Sequence, residues 1–454
     1  MKRLHVLAGV AVLLTAILLV QVLWRPFELW GRGSAMPADP STDASSSAPA
    51  KGAPPAPHPL PPGLVRAIED LRAAGFATTA AEWSGARLHD AENGALEVDA
   101  AAATLDTDER FAAWRTLEPR LFVRWWEDAR PEQVAELRAS LDASADVLAL
   151  VEAGLRKPRM RWPMVESGSD VMPGSRSVRR IQDLCAAAAR VRDGDGLLRV
   201  LAIQLRLDRR VEDGWVHRSG VEEATAALRD AVIGGRVKAA DARRALDDDI
   251  APFVCAQVPG AIRGGIVRSV RFFETAYGPG LPKVAVPRDL PPELESVLKA
   301  AADAAEKPIP SIAWGTAEDP LRAVGAQAVI DTAHPLDALA QLDAVESGAT
   351  AVAKVEAKVW PFQMRRCLVA DATLCLARVA LAAKAYRDAT GAWPVSLVEL
   401  SGALGGAVPL DPMTEKPFVY EVGANRVRIA ASRRIPGDEK DVPTEAALEW
   451  EFPR

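Results

Sequence analysis

Apolar residues along this chain follow three different rhythms. Residues 4–24 are an uncharged, predominantly apolar run, with Lys2 and Arg3 before it and Arg25 after it. From Leu64 to Thr390 the apolar positions mostly recur every three or four residues, the spacing of one helical face. After Pro417 they alternate with polar residues, the period of a half-buried strand.

Within the helical stretch, Leu64, Ile68 and Leu71 open the first stripe, and Val134, Leu137, Leu141, Val147, Leu148 and Val151 mark a long one beginning at Pro131. Ile181, Leu184, Cys185, Ala188 and Val191 form a clear stripe that stops at Asp193-Gly194-Asp195-Gly196, after which Leu197, Leu201 and Leu205 begin another. This pair predicts an antiparallel helical hairpin turned at the glycines. The hairpin resembles a single tetratricopeptide unit, although the unit does not repeat at a fixed period. Helix is also predicted over 220–233, over 239–276 with breaks or kinks at Pro252 and Pro259, and over 351–390 with a kink near Pro361. Prolines recur between 278 and 320 around a short predicted helix, 291–305, which reads as an inter-domain connection.

The 4–24 run is 21 residues long, and at ~1.5 Å per residue a helix of that length reaches ~30 Å, the thickness of a bilayer's hydrocarbon core. Positive charge at Lys2 and Arg3 places the N-terminus in the cytoplasm, and Trp24 and Trp30 suit the outer interface. The run is longer than the apolar part of a cleaved signal peptide, so an uncleaved signal anchor is expected, with the bulk of the chain outside the cytoplasmic membrane. Residues 31–62 turn to Ala, Pro, Ser, Asp and Gly, ending in a proline-dense stretch. Such a composition has too little apolar surface to offset ordering entropy and reads as a tether.

These patterns predict a mainly α protein: a cytoplasmic N-terminus at 1–3, a transmembrane helix at 4–24, a disordered linker at 25–62, a helical body at 63–350, and a long helix with a small α+β module at 351–454. The tail carries the most distinctive local pattern. Tyr386 precedes Thr390-Gly391-Ala392-Trp393-Pro394; then come Val408-Pro409-Leu410-Asp411-Pro412 and Phe418-Val419-Tyr420. Alternation predicts three strands, 418–422, 426–430 and 448–452, with Gly423-Ala424-Asn425 turning between the first two. The stripe Leu376, Val379, Ala380 and Ala383 is expected to face this sheet, with Trp393 closing the helix end.

From Leu374 onward the arrangement resembles the C-terminal domain of the type II secretion major pseudopilin. The resemblance implies a helix packed on a small antiparallel sheet and a calcium-binding loop at the sheet edge. Gly437-Asp438-Glu439-Lys440-Asp441 is the nearby candidate loop, though Lys440 favours a solvated turn. The 4–24 run lacks the glutamate of a processed pseudopilin helix, so pilus assembly does not follow. Over its whole length the chain resembles singly anchored bacterial envelope proteins.

A formal charge of −6 and a pI of about 5.6 argue against a nucleic-acid binder. One basic stretch stands out, with Arg156, Lys157, Arg159, Arg161, Arg176, Arg179 and Arg180 around Trp162. Its two readings are an anionic partner and arginines paired to nearby acids; the second is expected. Cys185, Cys255, Cys367 and Cys375 lack metal-ligand spacing and read as small buried side chains.

His5, His58, His89, His217 and His334 never cluster in sequence. Asp193-Gly194-Asp195-Gly196 begins like a calcium loop, but Leu197, Leu198 and Val200 stand where ligands belong. Ser296 and Lys299 have the S-x-x-K spacing of penicillin-recognising enzymes without their companion motifs. Glu127-Asp128 and Asp247-Asp248-Asp249 offer the paired acids that glycoside hydrolysis needs, if a fold were to set them across a cleft. No catalytic, cofactor-binding or metal-binding residue is assigned on this basis, and no cofactor is expected. The favoured reading is a noncatalytic, membrane-tethered protein that binds other envelope proteins. A carboxylate-dependent hydrolase of cell-wall or polysaccharide substrates and a secretion-associated component are the alternatives.

Overall fold

A computed structural model describes residues 60, 62–85, 88–112, 114–115, 131–162, 174–211, 218–277, 318–349, 353, 357–435 and 448–454. The expected membrane span, nearly all of the linker, the 291–305 helix and the candidate calcium loop lie outside these residues; the linker's last residue, Pro62, is instead helical, since proline suits the first turn of a helix. Among the described residues no helix is long and apolar enough to cross a membrane.

The described elements are, in order, α1 (Pro62–Ala73), α2 (Ala80–Ser84), α3 (Ala95–Thr107), α4 (Pro131–Asp142), α5 (Ala145–Arg156), α6 (Ser175–Val191), α7 (Gly194–Arg210), α8 (Arg218–Ile233), α9 (Ala239–Leu246), α10 (Val254–Tyr277), α11 (Glu318–Ala328), α12 (Pro335–Gly348) and α13 (Val359–Thr390), followed by strands β1 (Val419–Val422), β2 (Arg426–Ala430) and β3 (Glu449–Pro453). Nearly all of them belong to one compact unit, 61–115, 129–272 and 316–454.

The stripes become buried faces. In α1 the residues withdrawn from water are Leu64, Ala67, Ile68 and Leu71, and α11 packs on them. The long helical pattern after Pro131 is in fact two helices, because the chain breaks at Ala143 and Ser144. There the buried Ser144 hydroxyl donates to Leu141 O at 2.5 Å, and the Arg192 guanidinium donates to the same carbonyl at 2.6 Å. The α6–α7 hairpin forms as expected but turns more tightly. Only Arg192 and Asp193 lie between the helices, so Gly194, at φ 51°, is already the first residue of α7. That left-handed backbone suits a residue without Cβ. Arg236 pins the turn from outside, pairing with Asp193 at 2.8 Å and donating to Ala189 O at 2.8 Å. Pro252 falls in the break between α9 and α10, and Pro259 sits inside α10.

The helical pattern over 351–390 is interrupted near Pro361: Ala353 and Ala357 are helical, Lys358 is a turn, and α13 starts at Val359 with the proline in its first turn, where no intrahelical N–H is needed. One expectation about this helix needs correction, because there is no single stripe: from Cys367 to Ala383 almost every side chain is buried, including Leu376, Val379, Ala380 and Ala383. The helix is buried all round because α8, α9 and α12 surround it as well as the sheet.

The sheet is antiparallel in the order β1-β2-β3. Val427 faces Phe452 and Ile429 faces Trp450 in register, and these four side chains are its buried face. Alternation sends Arg426, Arg428, Glu449 and Glu451 outward, where Arg426–Glu451 and Arg428–Glu449 pair across the strands at 3.0 and 3.1 Å. The inner face meets α13 through β2 and α8 through β3. Trp393 is half-buried, its ring 5.2 Å from that of Phe452, while the Tyr420 hydroxyl donates to Pro394 O at 2.7 Å. Trp393→Ala is therefore expected to lower stability by about 2 kcal/mol in denaturant unfolding of the whole chain. An unchanged midpoint would mean that the ring contributes no packing.

Candidate functional site

Three arrangements gather polar chemistry. The first is a surface groove of about 420 Å³ between the loop after α1, the loop after α11 and the flank of α10. Phe76, Pro259, Val329 and Ile330 give it apolar walls, and Arg263, Asp331 and Thr332 supply its polar groups. Its walls are open, Val329 being 71% exposed.

The second lies where α6, α7 and α8 meet. Gln182 of α6 donates to the buried Asp208 of α7 at 2.5 Å, and Gln204 of α7 donates to Gly220 O of α8 at 2.9 Å. Gln257 of α10 donates to the backbone oxygen of Asp208 at 2.6 Å. Gly220 is required here, since a Cβ would stand 2.2 Å from Asp208 Oδ2. On the adjoining face of α6, Arg179 Nε lies 3.0 Å from Asp183, and Arg179 also reaches to 3.8 Å from Glu223 of α8. Burial pushes Asp183 up to about 7, aided by Glu223 and opposed by Arg179 and Arg180. Burial raises Glu223 too, against Arg179 and Arg190.

The third is Asp371, in the middle of α13 and only 4% exposed. Its Oδ1 accepts the amides of Phe253 and Val254, both at 2.8 Å, and its Oδ2 accepts that of Cys255 at 2.9 Å. These are the amides that open α10, so the carboxylate caps a helix more than 100 residues away in sequence.

The residues singled out from sequence fall elsewhere. Much of the basic stretch is tied to the acids of α3: Lys157 pairs with Glu97, Arg176 and Arg180 with Asp106 at 3.2 and 3.0 Å, and the Trp162 indole N–H donates to Asp99 at 2.9 Å. The backbone amide of Arg159 donates to Glu92 O and that of Arg161 to Asn93. Arg156 is exposed at the end of α5.

All four cysteines are buried, and none of them forms a disulfide. Burial pushes the Cys185 and Cys375 thiols to about 12 and Cys255 well above its ordinary value. Thiols so protected are poor nucleophiles. Asp249 is buried against Arg206 at 2.9 Å, and Asp247 lies 3.5 Å from Arg378, so the acid run serves helix packing. Asp193 faces Arg236, and the rest of its glycine motif is the first turn of α7. His89 is exposed and His334 precedes α12.

His5, His58, His217, Glu127, Asp128, Ser296, Lys299 and Gly437-Asp438-Glu439-Lys440-Asp441 lie outside the described residues. Among the described residues no group of three or more His, Cys, Asp or Glu is placed to hold a metal ion.

Sequence reasoning passed over Asp371, Asp183 and Glu223. A signal for Asp371 did exist: it is the lone acid in an apolar helical run from Cys367 to Ala377. No family model matches the chain, and none of the curated proteins or solved structures compared with it is similar.

Proposed function

We propose that this chain is a membrane-tethered, extracytoplasmic helical protein that works by binding other envelope proteins rather than by catalysis. The observation that carries this reading is the use made of four of the five buried aspartates among the described residues. Asp371 caps α10, Asp208 joins α6 to α7, Asp249 engages Arg206, and Asp411 accepts the amides of Met413 and Ser432 at 2.9 and 2.7 Å. Each is spent on holding segments together, an architectural use of buried charge. The groove beside Phe76 and Arg263 supports the same reading, being open and lined by apolar Phe76, Val329 and Ile330 together with polar Arg263, Asp331 and Thr332, a mixed surface that can meet both side chains and backbone of a peptide segment. The 4–24 run supplies the tether, with the N-terminus inside.

Fractionation tests the anchorage, and a reporter tests its direction. The full chain is expected with the cytoplasmic membrane, and a chain starting at residue 63 is expected in soluble form with its helical circular dichroism intact. A reporter joined after Pro62 should be active only outside the cytoplasm. Activity confined to the cytoplasm, or a soluble full-length chain, would overturn the proposal.

A further inference from the structure

We propose that Arg179, Asp183 and Glu223 form a proton-operated latch between α6 and α8, held closed while Asp183 carries a proton and loosened as it ionises. The geometry sets two carboxylates against one guanidinium. Asp183 is 5% exposed, and its Oδ1 lies 3.0 Å from Arg179 Nε without the alignment of a hydrogen bond. Glu223 Oε2 is enclosed with no hydrogen-bond partner among the described residues, although 37% of the side chain is open to solvent. Arg179 can balance one negative charge; among the described residues the second has no full counterpart in the low-dielectric seam, so a proton supplies it.

The surrounding charges leave that deficit in place. Arg180 is engaged by Asp106 of α3 at 3.0 Å, Arg190 acts on Glu223 from farther along α6, and Asp208 of α7 faces Gln182 on the neighbouring side of the helix. The exposed part of Glu223 gives protons a route to the seam.

The direction follows from linkage. Burial raises Asp183 from 3.8 to about 7, whereas in an opened seam it would return to the ordinary carboxylate range. The closed state therefore keeps the proton that the open state releases between these values. The latch is tightest below about pH 4, weakens as pH rises from about 4 to 7, and is constant above that. Elsewhere Asp146, Glu152 and Glu449 are held below the usual range by arginine partners. They move global stability the opposite way in acid, so a local readout is required.

That readout is hydrogen exchange of the α8 amides in the full chain in detergent, corrected for the intrinsic pH dependence of exchange. α8 protection is expected to fall by about tenfold or more between pH 5 and 7 and to level off above 7. In Asp183→Asn the α8 profile should be flat over the same range, with the protection of α3 and α5 unchanged. A flat wild-type profile, or a slope that survives Asp183→Asn, would overturn the latch. If that variant fails to fold, ¹³C-carboxyl titration of Asp183 in the wild-type chain decides: a midpoint near 7 supports the latch and one near 4 overturns it.

Discussion

Replacing Asp371 with alanine is expected to remove about 3 kcal/mol or more from unfolding stability, since three buried amides lose a charged acceptor together. The amides of Phe253, Val254 and Cys255 begin α10, and nothing within that helix can satisfy them. A neutral side chain would also surrender the favourable meeting of a carboxylate with the positive end of a helix dipole.

Asp371→Asn should lose less, because its carbonyl oxygen can still accept while its amide group faces a donor. The loss should reach the surface as well, since α10 carries Pro259 and Arg263 to the groove. Urea unfolding followed by circular dichroism measures the first effect, and exchange of the α10 amides the second. An alanine variant within about 0.5 kcal/mol of wild type would mean that the carboxylate does not cap α10.

Gly94→Ala is expected to cost about 3 kcal/mol, the upper end for forcing an extra carbon into a packed contact. An added Cβ would stand 2.2 Å from Gly154 O and 2.8 Å from Gly154 C, both backbone atoms. The reciprocal change places a Cβ at Gly154 2.7 Å from Gly94 O.

Gly94 has φ −75° and ψ −7°, a conformation open to any residue, so the cost is steric alone. Rotamer changes cannot relieve it, and the junction is bolted: Gly94 N–H donates to Arg159 O at 2.8 Å and Arg159 N–H to Glu92 O at 3.1 Å. Relief requires α3 and α5 to separate. Gly154→Ala sharpens the test, because alanine gains about 1 kcal/mol over glycine in a helix and should still destabilise. Gly260→Ala is the control: nothing lies within 4 Å of its Cβ position, and it should be neutral or slightly stabilising. Thermal melts of the three variants separate packing from propensity; equal melting of Gly94→Ala and wild type would refute the close approach.

What the sequence determined by itself is local. The three strands fall within a residue or so of where alternation puts them, and α1, α8 and the α6–α7 hairpin follow their stripes. Side-chain direction repeats with a fixed period along a helix or strand, so a pattern of a few residues suffices. Even there, the break at Ala143 and Ser144 is not legible, because the Arg192 guanidinium that holds it comes from the remote α6–α7 turn, and the break leaves the apolar rhythm of Val134 to Val151 almost undisturbed.

Tertiary structure decided which partners those faces found. That α13 is enclosed by helices and sheet together, that Gly94 and Gly154 touch, that the basic stretch meets the acids of α3, and that Asp183 and Glu223 share Arg179 all depend on residues remote in sequence. Asp371 states the reason most directly. Its charge is legible at position 371, but its role is set by amides 116 to 118 residues away, and no periodicity along one segment carries information about a helix end brought to it only by folding.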